Sequence, residues 1–167
     1  MRDIVIRFSH DVAKNLGVSI NDEARAQTVK LYNRLRSGLR ALYRLRSEQP
    51  AVISSQTVHA VSRAAMIMDR AEFTDGLEDL VADLAIREMP STDHRRLVLS
   101  GGLCSMPDIY SLIETAGGDV VWDDFCTGSR YFEGEITNDK QWLTGIADRY
   151  RERMVCPAKH MDLTRRG

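Results

Sequence analysis

The sequence lacks several features that mark specialised classes of protein. Three cysteines among 167 residues are too few, and odd in number, for a disulfide framework, so a reducing cytoplasm is the expected environment. No apolar run is long enough to predict a membrane span, and the start MRDIVIRFSH lacks the layout of a signal peptide. With 23 basic and 24 acidic residues, the overall charge predicts no polyanionic partner. The 43% hydrophobic content suits a soluble globular domain, or one domain and part of another.

Charge is nevertheless unevenly distributed. Residues 25–46 contain seven basic side chains and no acidic one, whereas residues 69–93 are mainly acidic. Two solvated helix faces explain this pattern, as does an anion-binding helix for nucleic acid or for the phosphates of a large acyl carrier. Only Tyr32 and Tyr43 lie among the arginines to stack on bases, which disfavours nucleic acid.

The first 90 residues are predicted to be helical after a short lead-in over residues 1–20. Asn21 is a predicted cap, and the helix after it runs to about Ser47. Its predicted inward positions are Ala24, Thr28, Leu31, Leu35, Leu39 and Leu42. A second helix is predicted from Ser54-Ser55 and a third from Thr74. Their predicted inward positions are Val58, Val61, Ala65 and Met68, then Leu77, Leu80, Val81 and Leu84.

The pattern changes after Met89-Pro90-Ser91, which predicts a helical connector over 1–90 and a partial α/β domain over 91–167. Apolar runs at 97–99 and 120–122 flank a short helical pattern with glycines at both ends. This order predicts a Rossmann-like β-α-β unit with two parallel strands, followed by a helix from about Asp139 to Arg153. Two parallel strands leave open edges, so we expect further chain or a partner to complete the sheet.

Ligands of open α/β sheets bind at the carboxyl ends of the strands, where two loops are expected to meet. The first loop begins Ser100-Gly101-Gly102 and continues to residue 106. Its glycines allow a ligand to approach the backbone, but a tight strand-to-helix turn explains them as well. No dinucleotide or phosphate-loop fingerprint is present.

The second loop, residues 123–132, brings carboxylates, a thiol, a hydroxyl and a guanidinium together. Cys126 could be a nucleophile, a soft metal ligand or a small buried hydrophobic group. Arg130 could hold a carboxylate or a thioester-linked acid through two hydrogen bonds, or could simply pair with Asp124 to fix the loop. The three cysteines are widely separated and give no zinc pattern, although an iron–sulfur site tolerates long spacing.

The motif Asp123-Asp124-x-Cys126-Thr127-Gly128-x-Arg130 resembles the 2-hydroxyacyl-CoA dehydratase family, which includes benzoyl-CoA reductase subunits. Residues 96–136 and the pattern of Tyr32, Asn33 and Arg36 support the likeness. The resemblance implies two homologous subunits, a [4Fe–4S] cluster in the complete enzyme and an ATP-dependent activator. It also implies radical dehydration, or reduction, of an acyl-CoA substrate, chemistry that the cofactor supplies.

For this chain, the resemblance implies a contribution to the acyl-CoA pocket. The implied substrate-binding residues are Ser100, Gly101, Gly102, Asp124, Cys126, Thr127, Gly128 and Arg130. No cluster and no activity are expected of the chain alone, because the cluster cysteines align outside it, and neither nucleic acid nor membrane is an expected partner. The alternative is a non-catalytic helical interaction module, which predicts a contiguous positive surface over residues 25–46 and a buried Cys126 remote from any cleft.

Overall fold

The computed structural model describes residues 2–88, 91, 93–103, 108–137 and 142–152. It is mostly helical with a small parallel sheet, which confirms the predicted α/β class. In chain order the elements are α1 (Arg2–Leu16), α2 (Asp22–Glu48), a 3-10 turn (Pro50–Val52), α3 (Ser55–Ile67), α4 (Arg70–Ala85), β1 (Arg95–Ser100), α5 (Ile109–Thr115), β2 (Gly118–Asp124), α6 (Ser129–Phe132) and α7 (Trp142–Glu152). None of the helices in these ranges is long and apolar enough to cross a membrane.

The described residues pack as two compact units. One comprises the residues up to Arg34 and those described from Gly134 onward, and the other spans Leu35–Glu133. The candidate site lies wholly in the second unit. The domains 1–90 and 91–167 follow from sequence punctuation rather than from packing, and they remain a prediction.

Helix α2 matches its predicted course. The Ala24 amide donates to Asn21 Oδ1 at 2.8 Å, which confirms the cap. Leu35, Leu39 and Leu42 are fully buried as predicted, whereas Ala24 and Thr28 are exposed. The lead-in expected over residues 1–20 is wrong, because most of it forms α1. None of the residues of α1 is buried, so this helix is only partly shielded from solvent.

Helices α3 and α4 begin at capping side chains. Ser54 Oγ accepts from the Thr57 amide at 3.1 Å, which confirms the predicted start of α3. The inward position predicted for Met68 is wrong, since this residue lies just past the end of α3 and is 44% exposed. The predicted start of α4 at Thr74 is also wrong, because Asp69 caps this helix and the Thr74 hydroxyl bonds back to the preceding turn.

Asp69 provides a direct test of this cap. Its Oδ1 accepts from the amides of Ala71 and Glu72 at 2.9 and 3.1 Å. We expect Asp69→Ala to lower the free energy of unfolding by about 1 kcal/mol, measured by urea denaturation. Asp69→Asn should retain most of the stability because its amide oxygen caps nearly as well. Equal losses in both variants would contradict the assignment.

The core of the second unit is formed by the inner faces of α2, α3 and α4. Its buried side chains include Leu35, Leu39, Leu42, Tyr43, Val58, Ala65, Phe73, Leu77 and Leu84. At the crossing of α2 and α4, a Cβ on Gly38 would lie 2.8 Å from Leu77 Cδ2. The glycine within the long helix therefore allows the two helices to approach closely.

Strands β1 and β2 form the predicted parallel pair. Leu97 lies opposite Val120 and Val98 opposite Trp122, so β2 has one extra residue, Val121, at this step. Strand β2 is largely buried, but β1 is exposed along almost its whole length, with Val98 64% exposed. In the part of the chain that the structure describes, β1 pairs only with β2, as expected of a sheet with an open edge. The predicted limits of the last helix, Asp139 and Arg153, lie outside the described residues.

Candidate functional site

Two loops lie side by side at the carboxyl edge of the sheet. The Gly101 amide donates to the Asp124 carbonyl at 3.3 Å, and the Cys126 amide donates to the Gly102 carbonyl at 3.2 Å. The Ser100 hydroxyl also donates to Asp124 Oδ2 at 3.1 Å. The predicted meeting of the two loops is therefore confirmed for the first loop as far as residue 103, and residues 104–106 lie outside the described part. We call residues 124–130 the site loop.

The two glycines of the first loop have different surroundings. A Cβ on Gly101 would lie 2.8 Å from Phe125 Cε1, whereas a Cβ on Gly102 would meet nothing within 4 Å. Phe125 is buried and packs edge-on against Tyr110. Gly101 thus allows tight packing, which is one of the two interpretations that the sequence offered for these glycines. The space beside the Gly102 backbone is free of other atoms of the described structure.

Arg130 forms a paired ion contact inside the site loop. Its Nε and Nη2 donate to the two carboxylate oxygens of Asp124 at 2.5 and 2.6 Å, and the residue is 6% exposed. Hydrogen bonding to Asp124 raises the pKa of Arg130 above its ordinary value, so the guanidinium remains charged. The geometry matches the alternative in which the pair fixes the loop. Direct contact of Arg130 with a substrate remains a prediction.

Cys126 lies on the exposed side of this pair. Its Sγ is 3.8 Å from Arg130 Nη1, and the residue is exposed. The buried cysteine predicted by the interaction-module alternative is therefore wrong. Within the described ranges, no three His, Cys, Asp or Glu side chains group as metal ligands. Cys104 and Cys156 lie outside those ranges.

Thr127 and Gly128 follow with different roles. The Thr127 hydroxyl oxygen is buried and has no hydrogen-bond partner within the described structure. The backbone of Gly128 packs against Asp123 so closely that a Cβ there would collide with the Asp123 carboxylate. Gly128 is therefore required by packing, while the Thr127 hydroxyl has no partner among the described residues.

Asp123 is a central residue of the site that belongs to the sequence motif but is not among the implied substrate-binding residues. It is 2% exposed and accepts hydrogen bonds from the hydroxyls of Tyr43 and Tyr110. The amides of Phe125 and Ser129 donate to its other oxygen. The motif contains Asp123, but local spacing does not reveal its partner Tyr43, which lies 80 residues away along the chain.

His59 also borders this cluster, although the scattered histidines predicted no site. Its ring stacks on Tyr110 with the ring centroids 4.7 Å apart, and its Nδ1 is buried with no partner within the described residues. Burial lowers the pKa of His59, which favours a neutral ring. His59 therefore adds a neutral imidazole beside the tyrosine that contacts Asp123.

The basic stretch does not form the continuous surface that the interaction-module alternative requires. Arg36 and Arg46 are buried. Arg46 donates to the Ile53 carbonyl and the Ser55 hydroxyl and pairs with Glu114 and Asp119. Two of the seven basic side chains therefore point into the protein, and the predicted contiguous positive surface is wrong.

Comparison with known proteins gives this site a family context. The family model for 2-hydroxyglutaryl-CoA dehydratase, D-component, matches residues 1–167. The chain is 30% identical to the β subunit of (R)-2-hydroxyglutaryl-CoA dehydratase from Acidaminococcus fermentans, over 74% of this chain and 32% of that subunit. It is 28% identical to one of the subunits of benzoyl-CoA reductase from Thauera aromatica, over 72% of this chain and 32% of the relative.

A third relative, the β subunit of lactoyl-CoA dehydratase from Anaerotignum propionicum, is 24% identical over 72% of this chain and 32% of its own length. The chain thus spans about a third of the length of the curated relatives it matches. The match of the family model along its whole length confirms the predicted resemblance: this chain belongs to the 2-hydroxyglutaryl-CoA dehydratase, D-component family.

Proposed function

We propose that this chain forms part of a dehydratase-type subunit and that its two sheet-edge loops contribute to an acyl-CoA pocket. Family membership and the names of the relatives, which are subunits of acyl-CoA dehydratases and of a benzoyl-CoA reductase, support this proposal. A benzoyl-CoA reductase-type subunit is the alternative, since both kinds of relative match similar shares of the chain. The chain alone is proposed to be inactive.

One observation carries the pocket proposal: the juxtaposed loops bring polar groups together at the carboxyl edge of a parallel sheet. Cys126 is exposed there, and the Thr127 hydroxyl is buried without a partner in the described structure. An unpaired buried hydroxyl costs about 1–3 kcal/mol, so a ligand that supplies its missing hydrogen bond gains affinity. Strand ends at such an edge are where open α/β sheets bind ligands.

Each residue of the two loops has a different proposed role in binding. Thr127 donates to an acceptor of the acyl-CoA, the open backbone at Gly102 leaves room for the ligand, and Cys126 lines the site. The Asp124–Arg130 ion pair holds the loop in one conformation, and the two charges largely neutralise each other. Arg130 already donates from Nε and Nη2 to Asp124, so any contribution of Arg130 to binding is made together with that partner.

The complete enzyme is proposed to carry out a radical, iron–sulfur-dependent dehydration with a homologous subunit and an ATP-dependent activator. A [4Fe–4S] cluster would supply one-electron chemistry there. The described residues do not assemble a ligand set for it. We propose that this chain's part is to bind and orient the substrate.

Titration of the purified chain with benzoyl-CoA and with free CoA, by calorimetry, tests the proposal. We expect binding, and we expect Thr127→Val to weaken it about five- to tenfold, since one hydrogen bond is lost. Thr127→Ser keeps the hydroxyl and should bind like the unsubstituted chain. Absence of binding by the folded chain, or equal affinity of the Val and Ser variants, would contradict the pocket assignment.

A further inference from the structure

We propose that Asp123 is a positioning residue that anchors the site loop to the helices beneath the sheet edge. The inference deepens the proposed function and rests on it, because the anchored loop carries Asp124, Cys126 and Thr127. Asp123 directly precedes this loop near the end of β2, and its carboxylate is almost fully buried.

The two carboxylate oxygens of Asp123 face different parts of the fold. Oδ2 accepts from the hydroxyl of Tyr43 on α2 at 2.7 Å and from that of Tyr110 on α5 at 3.3 Å. Oδ1 accepts from the amides of Phe125 at 3.3 Å and Ser129 at 3.0 Å. One side chain therefore connects two helices to both ends of the site loop.

The Tyr43 hydroxyl is a hydrogen-bond donor to Asp123. Burial, and then the charge of Asp123, raise the pKa of Tyr43 far above its ordinary value, so its hydroxyl keeps its proton. The Ser62 hydroxyl donates to the Tyr43 oxygen at 3.4 Å and completes the chain of hydrogen bonds. The four groups that contact the Asp123 carboxylate in this way are all donors, which suits a buried anion.

The Asp124–Arg130 pair cannot perform the same task. Both of its members belong to the site loop, so their ion pair shapes the loop internally. Asp123 instead joins the loop to Tyr43 and Tyr110, which lie outside it. The backbone of Gly128 also packs directly on the Asp123 carboxylate, where a Cβ has no room. The position of the loop relative to α2 and α5 therefore depends on Asp123.

Peptide-resolved hydrogen exchange and alkylation of Cys126 by iodoacetamide, both on the whole chain without ligand, test this role. We expect Asp123→Ala to accelerate exchange in the site loop and labelling of Cys126 about tenfold, with exchange in α3 and α4 unchanged. Asp123→Asn should rescue both rates. Its amide oxygen still accepts the two loop amides, and the tyrosine hydroxyls can accept from its NH2 group.

A second variant covers the case in which Asp123→Ala does not fold. Ser129→Pro removes one amide donor at the first position of α6, where proline is tolerated, and leaves the tyrosines intact. It should give part of the same acceleration. Tyr43→Phe should also accelerate both rates, whereas the matched variant Tyr150→Phe, on an exposed tyrosine, should not.

Unchanged rates in both Ser129→Pro and Tyr43→Phe would overturn the inference, as would an Asn variant that labels as fast as a folded Ala variant. Because these measurements need no ligand, they separate the two proposals. A chain whose loop responds as expected but which binds neither benzoyl-CoA nor CoA would retain the anchoring role of Asp123 and lose the acyl-CoA pocket.

Discussion

Replacing Arg46 by methionine is expected to lower the free energy of unfolding by about 3–5 kcal/mol, because the substitution removes the guanidinium that pairs with the buried Asp119. Arg46 is 2% exposed. Its Nη2 lies 3.1 Å from Asp119 Oδ1 and 3.3 Å from Glu114 Oε1. Asp119 is itself buried, so its charge has little access to water once the guanidinium is gone.

The loss would extend beyond the ion pairs. Arg46 also donates to the carbonyls of Ile53 at 2.7 Å and Val120 at 3.3 Å, which ties α2 to the 3-10 turn region and to β2. Methionine fills much of the volume but donates no hydrogen bond. Chemical denaturation followed by circular dichroism measures the change.

Arg44→Met is the matched control, since Arg44 is exposed on the same helix. We expect it to change the free energy of unfolding by no more than about 0.5 kcal/mol. Similar losses in the two variants would show that arginine on α2 acts through general charge or helix propensity and not through the buried contacts. A double variant that also replaces Asp119 by asparagine should recover part of the loss, because it removes the stranded charge.

Gly128→Ala is expected to displace the site loop or to destabilise the second unit by about 3 kcal/mol, at the upper end of the cost of overpacking. The added Cβ would collide with Asp123 Oδ1 and lie 2.5 Å from Asp123 Cγ. These atoms are held by four hydrogen bonds and cannot move aside without breaking them. The added methyl group therefore competes with the contacts that fix Asp123.

Gly102→Ala, in the facing loop, is the control, because its Cβ would meet no atom within 4 Å. We expect Gly102→Ala to retain native stability and the native labelling rate of Cys126. Thermal denaturation and iodoacetamide labelling measure both quantities. A Gly128→Ala variant that matches Gly102→Ala in both measurements would show that the Asp123 carboxylate has room to shift.

The parts of the structure that the sequence predicts well depend on short-range patterns. The Asn21 side-chain oxygen accepts a hydrogen bond from an amide only three residues further along the chain. The crossover through α5 is predicted by two apolar runs with glycines between them. The Asp124–Arg130 pair, whose members are six residues apart, is also one of the two interpretations that the loop sequence supports. In each case the partners are close enough along the chain for local spacing to identify them.

Other features depend on contacts that local spacing cannot identify. Tyr43 and Asp123 are separated by 80 residues, and Arg46 and Asp119 by 73. In the sequence, Arg46 looks like any other member of a basic stretch, and only the fold shows that it is buried. The misplaced start of α4 has a local cause: Thr74 has the side chain of a cap, but Asp69, five residues earlier, takes that role.

The exposed strand β1 has a practical consequence for handling the protein. Within the described residues β1 pairs only with β2, so its other hydrogen-bonding edge is open there, and the Val98 side chain is exposed. An exposed edge strand can pair with strands of other molecules, which promotes aggregation. The strand is short and begins with Arg95 and Arg96, whose mutual repulsion between copies opposes this pairing. Concentrated salt screens that repulsion, so solubility should fall as ionic strength rises.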